Sequence, residues 1–150
     1  GVCGSASLES VLSRNPPKIS PDEFTLNFHD IEFLVDQLKS SQSYFHTTGG
    51  MHAVAQFNQD LEFVNLAEDV GRHNAMDKVI GKSIDSIPHS LFGYLLSGRV
   101  SFEMVQKAWA AGFACLIAVS GPSALAVETA KAAGLQLGGF ASGNRINLYS

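Results

Sequence analysis

The chain reads as an α/β protein, and three observations in its C-terminal half predict that class. Ala114 to Val119 is an unbroken apolar run of strand length, the pattern of a parallel strand covered on both faces. Amphipathic stretches flank it: Phe102, Val105, Trp109 and Ala110 share one helical face, and Leu125, Ala126, Thr129 and Ala130 share another. Gly112 and Gly134 stand where those helices must stop, each followed at once by a strand-like run. The resulting β-α-β-α-β order predicts a sheet layer with right-handed crossovers.

The elements follow in order. Leu8, Val11 and Leu12 suggest a short helix ended by the Asn15-Pro16-Pro17 turn, so residues 1–20 are expected to be a loop and short helix, and residues 21–150 a single α/β domain. Asn27 can cap a helix with Asp30 as its third-position partner, and Ile31, Leu34, Val35 and Leu38 form its apolar stripe. Ala53 to Phe57 reads as a strand, joined through a hairpin turn at Asn58-Gln59-Asp60 to a second strand over Leu61–Leu66. Ala75, Met76, Val79 and Ile80 then sit at helical spacing, with Gly81 as the stop. Leu91 to Leu96 is a strand running into Ser97-Gly98-Arg99, and Ser101 is a modest cap for the helix that follows, Met104 standing where a capping-box Glu would be. Ser120-Gly121-Pro122-Ser123 turns into the last helix. Leu135 to Phe140 is a strand, Ala141 to Arg145 a turn, and Ile146 to Tyr149 a closing strand.

The densest chemistry lies in Glu68-Asp69-Val70-Gly71-Arg72-His73-Asn74-Ala75-Met76-Asp77-Lys78. This polar cluster is expected at a strand-to-helix turn, where exposed backbone N–H groups and the positive helix end favour anions. A plain solvated helix start capped by Asp69 is the competing reading. Thr47-Thr48-Gly49-Gly50-Met51-His52 adds hydroxyls, two glycines and a histidine at a strand entrance. Ligands of such sheets bind beyond the carboxyl ends of the strands, where Ser97, Gly98, Arg99 and Ser120 are expected. Three of the four arginines (Arg72, Arg99, Arg145) stand one or two residues after a glycine in a turn. A guanidinium beside free backbone N–H groups suits bidentate contact with phosphate oxygens.

On a chain of net charge −4, that arrangement favours a specific phosphate-bearing ligand. A broad nucleic-acid surface would need a basic stripe, so no nucleic-acid partner is expected. The longest apolar run, Phe113 to Val119, is far too short to span a bilayer, so none is expected either. Charged residues make up 16%, well below the usual share; the shortfall predicts surface covered by a second copy, as a homodimer, or by another part of the protein. Without an initiator Met, the chain is expected to begin mid-protein. Two cysteines far apart make no disulfide framework, and a reducing, cytoplasmic setting is expected. Cys115 lies within the apolar run and should be an inert core residue. Cys3, between glycines, could be a reactive thiol or sulfur carrier, or equally an incidental terminal residue.

Taken together, Gly1-Val2-Cys3-Gly4, Thr48-Gly49-Gly50-Met51-His52, the run Glu68–Lys78, Ser97-Gly98-Arg99-Val100-Ser101-Phe102-Glu103-Met104 and Phe140-Ala141-Ser142-Gly143-Asn144-Arg145 resemble the formate dehydrogenase accessory sulfurtransferases, the FdhD family. The motifs come in family order from Gly1 to Ser150. The resemblance implies a three-layer α/β/α, cytidine-deaminase-like fold with a mixed sheet. It implies transfer of persulfide sulfur from a cysteine desulfurase to the molybdenum cofactor, in its bis(molybdopterin guanine dinucleotide) form, for formate dehydrogenase. GDP-like nucleotides are expected to mimic that cofactor. By the same resemblance Phe140, Ala141, Ser142, Gly143, Asn144 and Arg145 match the family's cofactor-binding segment. The family loop reads Cys-Gly-x-Cys-Gly and usually carries the persulfide on its first cysteine; here only the second, Cys3, is present.

A zinc deaminase on the same fold would need His-x-Glu and Pro-Cys-x-x-Cys elements. His52-Ala53-Val54 has no Glu and no Cys-x-x-Cys occurs, so no metal site is expected. A chaperone that binds the cofactor without chemistry would need the same arginines, glycines and hydroxyls.

Overall fold

The computed structural model describes residues 26–41, 51–82, 93–113, 115–142 and 145–150. Cys3 and the rest of the 1–20 segment, Thr48, Gly49, Gly50, Gly143 and Asn144 lie outside the described residues.

Four helices and six strands follow in the order α1 (Phe28–Ser41), β1 (His52–Phe57), β2 (Phe63–Asp69), α2 (Arg72–Lys82), β3 (Gly93–Leu96), α3 (Phe102–Ala111), β4 (Cys115–Ala118), α4 (Ala124–Ala133), β5 (Gln136–Ser142) and β6 (Arg145–Leu148). One mixed sheet has the strand order β2-β1-β3-β4-β5-β6. The β3-β4-β5 centre is parallel, and β1, β2 and β6 run antiparallel to their neighbours. The crossover helices α3 and α4 pack against each other, α2 lies on β1 and β2 beside α3, and α1 spans β3 and β5. With α3 and α4 on one face, α1 covers the other, which makes three layers.

Local chemistry explains most of these elements. Asn27 and Asp30 form a reciprocal cap: each side chain accepts from the other's backbone N–H at 2.9 Å. Ile31, Leu34, Val35 and Leu38 are all buried beneath α1, and each such side chain contributes about 1.5–3 kcal/mol. Gly112 (φ 80) and Gly134 (φ 72) end α3 and α4 in the left-handed conformation that glycine adopts without strain. The β3 and β4 strands are buried along their whole length, as expected at the centre of a layer clothed on both sides.

Several boundaries differ from the sequence reading. The hairpin turn spans five residues: the Asn58 carboxamide accepts from the N–H groups of Asp60 and Glu62, both at 3.0 Å. Leu61 takes φ 63, which no strand accommodates, so β2 starts at Phe63. The β1–β2 ladder then continues until His52 faces Asp69, which places Glu68 and Asp69 on the strand and leaves Val70-Gly71 as the turn. Gly81 does not stop α2, which runs on to Lys82 with Gly81 on its solvent side. The exposed backbone of β2, a sheet edge, is capped: Lys82 donates to the Leu66 carbonyl at 2.8 Å and Lys78 to that of Glu68 at 3.1 Å. β5 reaches Ser142, and its pairing with β6 is irregular between Gly139 and Ser142, around Phe140 at φ 56. On α3, Ala110 is exposed, and Met104, Ala108 and Ala111 complete the buried face instead. On α4, Leu125 is only partly buried, with Ala133 in its expected place.

Candidate functional site

Strand register brings the polar motifs to one rim of the sheet. His52 faces Asp69, Leu96 lies beside Ala118, and Ser142 faces Arg145. The carboxyl ends of β2 to β5 and the amino ends of β1 and β6 therefore share that rim. Backbone bonds zip the turns together beyond the strands. Ser97 Oγ accepts from Ala53 N–H at 2.8 Å, and Ser97 N–H donates back to the Ala53 carbonyl at 3.0 Å. Val100 N–H donates to the Gly121 carbonyl at 3.2 Å, Ser123 N–H to that of Val100 at 3.0 Å, and Phe140 N–H to that of Ser120 at 3.1 Å.

A cleft of about 600 Å³ opens on this rim, lined by Arg72, Arg99 and Glu103, by the hydroxyl residues Ser101 and Ser123, and by Gly121, Pro122 and Leu125 among others. Three helices begin around it: α2 at Arg72, α3 just after Ser101 and α4 just after Ser123. The N–H groups and dipoles of helix starts favour an anion. Ser123 caps α4 by accepting from Ala126 N–H at 3.1 Å. Arg72 Nε, at this rim, is buried without a hydrogen-bond partner, a costly state that an acceptor oxygen would relieve.

The neighbouring groups hold Arg72 in place. A Cβ on Gly98 would lie 2.9 Å from His52 Nδ1 and 3.7 Å from Arg72 Cδ, so the glycine makes room for the histidine to stand beside the arginine. Asp69 accepts from Gly71 N–H at 2.8 Å and pairs with Lys78 at 2.8 Å. Those partners, Lys78 foremost, hold its carboxyl below the ordinary carboxylate value. Asp69 thus fixes the turn that presents Arg72. His73 Nε2 lies 3.0 Å from Ser101 Oγ and 3.5 Å from Glu103 Oε2. Partial burial, then the adjacent Arg72 charge, push this imidazole below its ordinary value despite Glu103.

Of the residues expected at the site, Arg72 and Arg99 line the cleft together, with His52, His73, Ser97 and Gly98 packed behind or beside them. Ser120 lies outside the cleft lining, and its carbonyl accepts from the Phe140 N–H. Phe140 is half-exposed with its ring on Gly121 at the cleft edge, whereas Ala141 is buried, so only its backbone can reach a ligand. Arg145 is exposed at the start of β6, outside the cleft lining. Ser101, Glu103 and Leu125 also line the cleft, beyond the residues that the sequence marks as its site. Ser101 has extended N-cap backbone yet makes no capping bond; its hydroxyl goes to His73 instead, a long-range contact that no local signal in the sequence announces. Cys115, the one cysteine among the described residues, is buried at the start of β4, and burial raises its thiol far above the ordinary value.

Comparison with known proteins agrees with this architecture. The family model described as FdhD/NarQ family matches residues 1–150. The chain is 43% identical to "Sulfur carrier protein FdhD" of Streptomyces coelicolor, over 100% of this chain and 54% of that protein. It is 46% identical to the protein of the same name from Mycobacterium tuberculosis, again over 100% of this chain and 55% of the relative. A crystal structure of a putative formate dehydrogenase accessory protein from Desulfotalea psychrophila superposes with a TM-score of 0.78 at 28% identity, covering 89% of this chain and 56% of that one. The chain thus spans about half the length of the relatives it matches.

Proposed function

The chain belongs to the FdhD/NarQ family, and from that premise we propose that it is the cofactor-holding portion of a sulfur carrier. The carrier accepts persulfide sulfur from a cysteine desulfurase and passes it to a molybdenum cofactor, bis(molybdopterin guanine dinucleotide), destined for formate dehydrogenase. The observation that carries the reading is the pair Arg72 and Arg99 in one cleft among three helix starts, with Arg72 Nε buried and unpartnered. Two guanidiniums and a ring of N–H donors suit the pyrophosphates of that cofactor. The name of the sulfur carriers and the name of the solved accessory protein supply the sulfur and the dehydrogenase. Cys3, within the family's cysteine loop, is the residue assigned to sulfur handling. The same reading puts its work in the cytoplasm, the reducing setting expected from its cysteine usage.

Calorimetry with GDP tests the binding half of this proposal: micromolar or tighter binding supports it, and no binding overturns it. Mass spectrometry of the full-length protein after incubation with a desulfurase and cysteine tests the transfer half. A persulfide mass gain on the cysteine loop supports it. A chaperone that binds cofactor without chemistry is the second reading. It is favoured by one observation: the cleft holds no thiol among its described residues, and Cys115 is sealed in the core. Binding of GDP with no persulfide formed would select it. Assembly as a homodimer accords with the sparse charge and with the exposed aromatic rings of Phe28 and Phe33 on α1. Light scattering on the full-length protein tests it, a monomeric mass at micromolar concentration counting against it.

A further inference from the structure

We propose that Ser101 is a ligand-contacting hydroxyl of the cleft, and that the protonation state of His73 decides whether that hydroxyl is free to donate to the ligand. The inference rests on the reading of the cleft as an anion site. Ser101 stands at the N-cap of α3 with the backbone of a capping residue (φ −92, ψ 163), yet its side chain makes no capping bond. Its oxygen turns instead to His73 Nε2 at 3.0 Å while still lining the cleft with Arg72 and Arg99. A serine that forgoes its helix for a histidine at the edge of a cationic cleft is placed to serve whatever fills that cleft.

Hydrogen-bond inventory then fixes the logic. Ser101 has one O–H to give. A protonated imidazole carries only donors, so Ser101 must accept from Nε2 and its own O–H is released toward the cleft. A neutral imidazole offers a lone pair at Nε2 in one of its two tautomers, and that lone pair competes with the ligand for the same O–H.

The charges facing His73 set when the switch moves. Arg72 and Asp77 face it from α2, and Glu103 and Lys107 from α3. In the free protein burial, then the Arg72 charge, outweigh the carboxylates and hold the imidazole below its ordinary value. An anion docked on Arg72 offsets the charge that repels the proton, and Glu103, 3.5 Å from Nε2, stabilises the imidazolium. Anion binding therefore draws a proton onto His73, and by linkage a lower pH tightens anion binding.

The test uses full-length protein and inorganic sulfate, a tetrahedral dianion that does not titrate near neutrality, so any proton taken up belongs to the protein. The His73 ring protons are followed by NMR through a pH series with and without sulfate. The expected result is a midpoint that moves upward with sulfate, and sulfate binding several-fold tighter at about pH 6 than at about pH 8. In His73→Gln, whose amide can bond Ser101 but cannot titrate, the pH dependence should vanish. In Ser101→Ala, which keeps the imidazole, the low-pH advantage should shrink. An unmoved His73 midpoint in a protein that binds sulfate or GDP overturns this inference and leaves the anion site standing. The same holds for a pH dependence that survives His73→Gln. Failure of both sulfate and GDP to bind overturns the anion site and this inference together.

Discussion

Phe140 lays its ring on the bare backbone of Gly121: a Cβ at position 121 would stand 2.6 Å from Phe140 Cζ. Phe140 takes this place with φ 56 and half its surface exposed. Holding a bulky residue in the left-handed region costs about 1–2 kcal/mol. Such strain, kept for a ring that is not buried, is the kind that functional sites retain, and the binding proposal puts this ring at the ligand's edge. Gly121→Ala should therefore push the ring off the cleft edge. Because the ring can swing into solvent, the melting temperature should hardly change while affinity for GDP falls. Calorimetry checks this, and affinity equal to that of the unmodified protein would remove Phe140 and Gly121 from the binding edge.

Arg72 and Arg99 share the cleft, whereas Arg145 lies outside its lining. Each charge-assisted bond to a phosphate contributes about 1.5–3 kcal/mol. Arg72→Ala or Arg99→Ala should weaken GDP binding by about tenfold to a hundredfold, with Arg145→Ala the mildest of the three. Arg72→Lys should recover only part of the loss, because an ammonium cannot reproduce the guanidinium fork. Titration of the four variants tests the ranking, and a dominant effect at Arg145 would move the site to the β5–β6 turn.

Asp69 ties the turn before α2 through Lys78, the Gly71 N–H and Asn74. Its folded pKa is lowered, so its contribution is fully present above the ordinary carboxylate value and is lost as pH falls through the folded value. Stability measured by denaturant unfolding should therefore decline on acidification below the ordinary carboxylate range. Asp69→Asn should flatten part of that decline and lower nucleotide affinity by loosening Arg72. An acid limb identical in the variant and the parent would show that the carboxylate does not hold the turn.

Gly93 opens β3 where a Cβ would meet the Phe57 ring and lie 2.6 Å from Cys115 Sγ. Gly93→Ala should cost about 1–3 kcal/mol by overpacking, and adding Cys115→Ala should return part of that loss, since the two sites share one contact. Cys115 should also resist thiol reagents until the protein unfolds, because it is fully buried and its thiol is held protonated. Rapid labelling of Cys115 in the native state would contradict the packing of β4.

Some of this was legible in the linear chain because its cause is local. The Asn27–Asp30 cap, the Ile31–Leu38 stripe, the glycine stops at 112 and 134 and the buried apolar strand around Cys115 depend on neighbours within a turn or two. Gly81 and Leu61 misled the same reading for a tertiary reason. α2 is anchored beyond Gly81 by Lys82 on the Leu66 carbonyl, and the hairpin is set by Asn58, which leaves Leu61 in the left-handed region. The polar motifs could be recognised as clusters, but not as neighbours. His73 and Ser101 are 28 positions apart, and only the β1–β3 pairing and the α2–α3 packing bring them to 3.0 Å. The sequence by itself determined most of the described helices and strand-like runs and which residue types are polar and clustered, since caps, periodicity and backbone freedom act over a few residues. The tertiary structure alone decided that Arg72, Arg99, Ser101 and Glu103 face one cleft, since strand register and right-handed crossovers set distances that no local spacing contains.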